Sequence, residues 1–187
     1  MKEVILASKS PRRKELLLKC LPEFLCQPAE IDETINADND LAEEVKKLSE
    51  RKAMHILEKH PDAVVIGSDT IVVLNGKVLG KPADEEEARI MLRGLQGTTH
   101  QVITGLCIVS AKKEYADVTV SDVTFAPMTD DEIQAYLNTG EYKDKAGAYG
   151  IQGFGGKYIT GISGDFYSIM GLPLNLVYEQ TKNLKEY

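Results

Sequence analysis

Five consecutive residues without a polar side chain, Ala63-Val64-Val65-Ile66-Gly67, constrain the fold most. A run that does not alternate is buried on both faces, the pattern of a central, parallel strand covered by helices. The segments around it fit such a sheet. Val4–Ala7 reads as another buried strand, and Phe24–Pro28 as a short edge strand. Ile71–Leu74 and Lys77–Leu79 flank Asn75-Gly76, a strong two-residue hairpin signal. Thr98–Ser110 and Glu114–Ala126 read as two long strands joined around Lys112-Lys113, expected as an extended arm beside a cleft. Lys157–Ile162 reads as a further strand.

Helical segments lie between these runs. Ser10 is a good N-cap and Pro11 suits the first helical position. Asp40–Glu58 carries Leu41, Val45, Leu48, Ile56 and Leu57 at helical spacing. Asp84–Arg93 is capped by Asp84 and stopped by Gly94. Thr129-Asp130-Asp131-Glu132 is a capping box for a helix ending near Gly140, and Pro173 opens a C-terminal helix. The 187 residues show no repeat or linker, so residues 1–187 are expected to form one domain. The predicted class is α/β with a mixed sheet flanked by helices.

Charge and cysteine content narrow the function. The net charge of -7 argues against general nucleic-acid binding, which needs a basic face. Cys20, Cys26 and Cys107 lack metal-ligand or CxxC spacing, and inert buried thiols in a reducing cytoplasm are the expectation. No signal-like start or membrane-spanning apolar run is present, so a soluble cytoplasmic protein is expected.

Against this acidic background the basic cluster of Ser8-Lys9-Ser10-Pro11-Arg12-Arg13 stands out. A strand ends there and a helix begins, so free N–H groups and cationic side chains converge, an arrangement suited to phosphate. The same residues also fit a first strand and helix with solvated arginines. No GxxxxGK[ST] motif occurs, because Gly76-Lys77, Gly80-Lys81 and Gly156-Lys157 lack the following Ser or Thr. The segment Gly150–Gly156 precedes a strand rather than a helix, so it is no dinucleotide fingerprint and reads as a bulged hairpin. His55, His60 and His100 are scattered, without zinc or triad spacing.

Asp69 follows the central strand in Gly67-Ser68-Asp69-Thr70, expected as a loop at the strand's carboxyl end, where α/β folds place ligands. It also fits a turn residue capping Thr70 or Ile71. Glu33 lies in the acidic loop Glu30–Thr34. Lys81 is held beside Pro82, and Lys52 lies within the helix 40–59. Together Arg12, Arg13, Lys52 and Lys81 with two carboxylates form an inventory for a nucleoside triphosphate and a divalent metal.

Leu6–Arg13, Gly67–Thr70, Leu79–Pro82, Lys145–Gly153 and Gly164–Pro173 resemble, in order, the motif blocks of the Maf nucleotide pyrophosphatases. The resemblance spans nearly the whole chain. It implies a fold similar to the inosine triphosphatases: an elongated mixed sheet with helices, and two lobes around a central cleft. It implies hydrolysis of a nucleoside triphosphate to monophosphate and pyrophosphate, with Mg²⁺ or Mn²⁺ as cofactor. Ser8, Arg12, Arg13, Lys52 and Lys81 match phosphate-holding positions. Glu33 and Asp69 match the acidic, metal-holding pair, with Asp69 the proton acceptor. Arg12, Thr70 and Gln152 match positions linked to substrate choice. Asp69-Thr70 and the Lys145–Gly153 block resemble the branch acting on dTTP and UTP. The branch preferring 7-methyl-GTP has Gln after the Asp and lacks that block. A Gln152 amide suits the O4 and N3–H edge of a pyrimidine. A homodimer is usual for such folds. A nucleotide-binding regulator of septum formation without significant catalysis is the competing expectation.

Overall fold

The computed structural model describes residues 3–187. Among them, seven strands form one mixed sheet. They are β1 (Val4–Leu6), β2 (Leu25–Cys26), β3 (Val64–Leu74), β4 (Lys77–Leu79), β5 (Thr99–Val109), β6 (Glu114–Phe125) and β7 (Ile159–Ser163). The order is β2-β1-β3-β5-β6-β7, with β4 also paired to β3. β1 pairs β2 and β3 in parallel, whereas β3–β4 and β6–β7 are antiparallel. Six α-helices accompany the sheet: α1 (Pro11–Leu17), α2 (Leu41–Leu57), α3 (Glu85–Leu95), α4 (Asp130–Leu137), α5 (Phe166–Met170) and α6 (Leu174–Thr181). The mixed α/β class and both parallel neighbours of β1 follow the expectation from apolar patterning.

Five expectations need correction. β3 is one strand of 11 residues, so Asp69 and Thr70 lie within it and not in a loop after Gly67. The strand continues past the apolar run because its polar side chains find partners: Ser68 Oγ donates to the Gly105 carbonyl at 2.7 Å and the Gly171 carbonyl at 3.1 Å. The long strands β5 and β6 are interior members of the sheet rather than an arm beside it. α3 runs through Gly94, where a Cβ would stand 3.2 Å from Leu74 Cδ2, so this glycine serves helix–strand packing and does not stop the helix. Residues 154–158 form a 3-10 helix instead of a bulged hairpin. Of the three thiols only Cys107 is buried, with burial pushing its pKa up to about 12, while Cys20 is half-buried and Cys26 exposed.

The chain divides into two units. The first runs to Thr70 and takes in Thr104–Thr119 and Gly171–Tyr187; the second comprises Ile71–Ile103 and Val120–Met170. In the first, Ile5, Ala7, Ala53, Ile56, Val65, Cys107 and Val109 pack into one core. α2 presents Val45, Leu48, Ser49, Lys52, Ala53 and Ile56 to the interior, the i, i+3, i+4, i+7 stripe of an amphipathic helix. It approaches β3 and β5 closely because both carry glycine there. A Cβ on Gly67 would sit 2.4 Å from the Ser49 carbonyl oxygen, and one on Gly105 would sit 2.6 Å from that of Val45.

In the second unit α3 and α4 pack together, Arg93 Nη2 meeting Asp130 at 3.0 Å and Arg89 pairing with Gln134. The capping box of Thr129 and Glu132 opens α4. His100, Phe125 and Tyr149 form a ring cluster with centroids 4.9–5.6 Å apart. Among the described residues no helix is long and apolar enough to cross a membrane.

Candidate active site

The candidate site in the first unit is built on the contact between α2 and β3. Ser49 lies against Gly67, so the side chain one turn later, Lys52, meets the residue two further along the strand, Asp69. Lys52 Nζ donates to Asp69 Oδ1 at 2.6 Å and pairs with Glu33 Oε1 at 3.0 Å. The Lys52 side chain is 7% exposed and that of Asp69 13%, whereas Glu33 is 53% exposed. A nearly buried ammonium thus holds one shielded carboxylate and one open to solvent. Desolvating a lone ammonium is costly, and these two partners offset that cost.

Glu33 is delivered by a tied loop. Asp32 Oδ1 accepts the Thr34 N–H at 2.9 Å and the Thr34 hydroxyl at 2.6 Å. These bonds hold the Asp32 carboxyl below the usual carboxylate range. Glu44 fixes the far end by accepting from Asn36 N at 3.3 Å and Asn39 Nδ2 at 2.9 Å.

The basic turn lies at the end of β1. Ser10 caps α1 by accepting from Arg13 N, and Ser8 Oγ accepts from Ser10 N at 3.1 Å. α1 has only seven residues, and its cap already satisfies one of its free N–H groups. Charge here therefore comes from side chains more than from the helix terminus. Arg13 is fixed in three directions: Nε donates to the Gly171 carbonyl at 2.8 Å, Nη1 to Ser8 Oγ at 3.4 Å and Nη2 to Thr70 Oγ1 at 3.2 Å. Thr70 Oγ1 also meets Thr104 Oγ1 at 3.0 Å. Burial lowers the Arg13 pKa, the Asp69 charge opposes that shift, and Arg12 adds to it. Arg12 is half-buried at the start of α1.

So Ser8, Arg13 and Thr70 form one hydrogen-bonded group, and Glu33, Lys52 and Asp69 another, joined in sequence at Asp69-Thr70. Besides Arg12, the two other expected residues, Lys81 and Gln152, belong to the second unit, where both are exposed. Lys81 follows Gly80, whose carbonyl accepts the Gly147 N–H at 3.1 Å. Gln152 lies in the turn between buried Ile151 and the 3-10 helix of residues 154–158.

That turn depends on a residue the sequence did not single out. Glu141 Oε2 accepts the Phe154 N–H at 2.7 Å, and Oε1 accepts the Gly155 N–H at 3.0 Å and the Tyr136 hydroxyl at 3.1 Å. The signal available beforehand was weak: a Glu just after Thr139-Gly140, far in sequence from the N–H groups it serves.

Among the described residues no group of three or more His, Cys, Asp or Glu side chains gathers where it could hold a metal ion. Glu33 and Asp69 are two hard oxygen donors brought to one ammonium. Such a pair fits a divalent cation that takes most of its shell from phosphate and water.

Comparison with known proteins places these residues in a family. The family model for Maf-like proteins matches residues 3–184. A dTTP/UTP pyrophosphatase of Shouchella clausii is 47% identical over 177 residues, covering 94% of this chain and 92% of that protein. A dTTP/UTP pyrophosphatase of Pyrococcus furiosus is 44% identical over 177 residues, covering 95% and 93%. A solved structure of the Staphylococcus aureus Ham1 protein aligns at 18% identity with a TM-score of 0.48, over 84% of this chain and 80% of that one, a likeness too distant to argue from.

Proposed function

This chain belongs to the Maf family, and from that premise we propose that it hydrolyses dTTP and UTP to the monophosphate and pyrophosphate. The observation that carries the reading is the Lys52 ammonium held between Asp69 and Glu33, with Asp69 next in sequence to the Thr70 that Arg13 grips. Similarity over more than nine-tenths of each chain to proteins named for this activity supports it.

In the proposed reaction Asp69 Oδ accepts a proton from water as the water oxygen bonds to the α-phosphorus. The bond from that phosphorus to the bridging oxygen breaks, and pyrophosphate carries away the electron pair. Lys52 fixes the Asp69 carboxylate so that its other oxygen faces the water. Ser8, Arg12, Arg13 and Lys81 supply donors and positive charge for phosphoryl oxygens. Arg13 directs three of its donors to protein atoms, so it also frames the positions of Ser8 and Thr70. Glu33 and Asp69 would hold Mg²⁺ or Mn²⁺, which when bound neutralises triphosphate charge. Thr70 and Gln152 are assigned to substrate choice, Gln152 through the pyrimidine edge. We place the activity in a reducing cytoplasm, a reading supported by three free thiols.

The test is Asp69→Asn, which keeps the size of the side chain and removes the base. Pyrophosphate release from dTTP should fall about 10³-fold, within the usual range for general-base loss, while nucleotide binding persists. Wild-type turnover in this variant would overturn the assignment. The wild-type protein assayed with dTTP, UTP and 7-methyl-GTP, with and without chelator, tests the substrate and the cation. Release from 7-methyl-GTP alone would overturn the pyrimidine reading, and release from none of the three would overturn the enzyme.

A further inference from the structure

Within the second unit, the backbone on either side of Gln152 is anchored by different means. Ile151 is buried, which fixes the residue before it. After it come two consecutive N–H groups, of Phe154 and Gly155, each donating to one oxygen of the Glu141 carboxylate at 2.7 and 3.0 Å. These open the 3-10 helix of residues 154–158, whose first N–H groups have no partner within the helix. The Tyr136 hydroxyl donates to the same carboxylate at 3.1 Å. Glu141 is itself fixed, its N–H donating to Thr139 Oγ1 at 3.2 Å and its carbonyl accepting from Lys145 Nζ at 2.5 Å.

The residue after Gln152 shows how closely the carboxylate is seated. A Cβ on Gly153 would lie 2.0 Å from Glu141 Oε2 and 2.5 Å from its carboxyl carbon. Only a bare backbone leaves room for the carboxylate here. The Gln152 side chain meanwhile stays exposed.

We propose that Glu141 is a positioning residue for Gln152, and through it a determinant of base selectivity. The inference rests on the reading of Gln152 as the residue that meets the base. Glu141 touches no reacting group. Its carboxylate sets the turn from which the Gln152 amide reaches out, and a two-point anchor limits how far that amide can shift.

The experiment compares Glu141→Gln, Gln152→Ala and wild-type full-length protein on dTTP, UTP and GTP, each with a thermal unfolding curve. Gln at 141 keeps the volume, but its amide nitrogen cannot accept from a backbone N–H. One anchor is lost, so KM for dTTP and UTP should rise about tenfold, the scale of one lost hydrogen bond to a charged group, with kcat within about threefold. Efficiency on GTP should stay constant, so the pyrimidine preference shrinks by about the same tenfold factor. An equal loss on all three nucleotides would show a merely structural role and overturn the inference. If Gln152→Ala collapses the preference while Glu141→Gln, folded, leaves it intact, the Glu141 inference fails and the Gln152 reading stands. If Gln152→Ala leaves the preference intact, the Gln152 reading fails and takes the inference with it. Should Glu141→Gln not fold, Gly153→Ala displaces the carboxylate without removing it. The same rise in KM is expected there, and its absence would overturn the proposal.

Discussion

The two units hold their candidate residues by opposite means. In the first, the functional side chains fix one another: Lys52 pins Asp69 and Glu33, and Arg13 pins Ser8 and Thr70. In the second, Lys81 and Gln152 are exposed and it is the backbone beneath them that is fixed, by the Gly147 N–H on Gly80 and by the Glu141 carboxylate on residues 154 and 155. A mutually bonded charge cluster is suited to chemistry, because its geometry is set before substrate arrives. An exposed side chain on an anchored turn is suited to reading a ligand, because it stays available until one binds. Under the proposed function, the contrast sets the proton acceptor Asp69 in the bonded cluster and the base-reading Gln152 on the anchored turn.

The strongest way to break this contrast is to remove the ammonium at the centre of the cluster. Lys52→Met keeps most of the stem volume inside the α2 stripe and leaves Asp69 and Glu33 without their shared partner. Pyrophosphate release from dTTP should fall about a hundredfold or more, mostly in kcat, the scale of losing one preorganised electrostatic group. Circular dichroism should show the α-helical content retained. A loss below about twofold would mean that the Lys52 cluster is structural and that the division of labour is wrong.

How far could these residues be read beforehand? Lys52 was legible in principle, since it falls four residues after Leu48 and four before Ile56, on the buried stripe of α2. A lysine on an apolar stripe must take its charge to a partner, which turns a solvated-looking residue into a site residue. The chemistry of Asp69 is plain in the sequence but its place is not, because apolar patterning ends a strand where the apolar residues end. Here Ser68, Asp69 and Thr70 remain in the strand because each side chain meets a partner on another element. Gly94 misled in the opposite sense, as a helix stop, because its role depends on Leu74. Glu141 gives only a weak signal: the N–H groups it serves lie 13 and 14 residues away, and no local pattern announces a carboxylate serving a distant 3-10 helix.

A second prediction tests the scaffold that places Lys52 against Asp69. Gly67→Val puts a Cβ where the Ser49 carbonyl oxygen would be 2.4 Å away, with Ala53 N at 3.0 Å. Both are backbone atoms of α2, so the whole helix must shift. Stability should fall by about 3 kcal/mol, the upper range for overpacking, read from urea unfolding. Turnover in the surviving folded fraction should drop as well, because Lys52 moves with α2. Full activity per folded molecule would show that the Lys52–Asp69 geometry does not matter.

The smallest expected effect belongs to the second unit and separates it by pH. His100 is 2% exposed, its Nε2 meets Tyr149 Oη at 2.7 Å, and among the described residues its Nδ1 has no hydrogen-bond partner. Burial lowers its pKa to about 4, with the Asp122 charge opposing the shift. The unfolded chain, with an ordinary histidine near 6.5, therefore binds more protons than the folded one between those two values. Stability is full above about pH 6.5, declines as the pH falls, and levels off for this group below about 4. By pH 5 the loss should reach about 2 kcal/mol. His100→Gln removes the titrating group, so its unfolding free energy should be flatter from pH 6.5 to 5 than that of the wild type. In the first unit His60 Nδ1 lies 3.8 Å from Glu3 Oε2, but that pair is present in both proteins and cancels in the difference. An unchanged slope in His100→Gln would show that the ring cluster does not bury a neutral imidazole, and that acid sensitivity does not distinguish the two units.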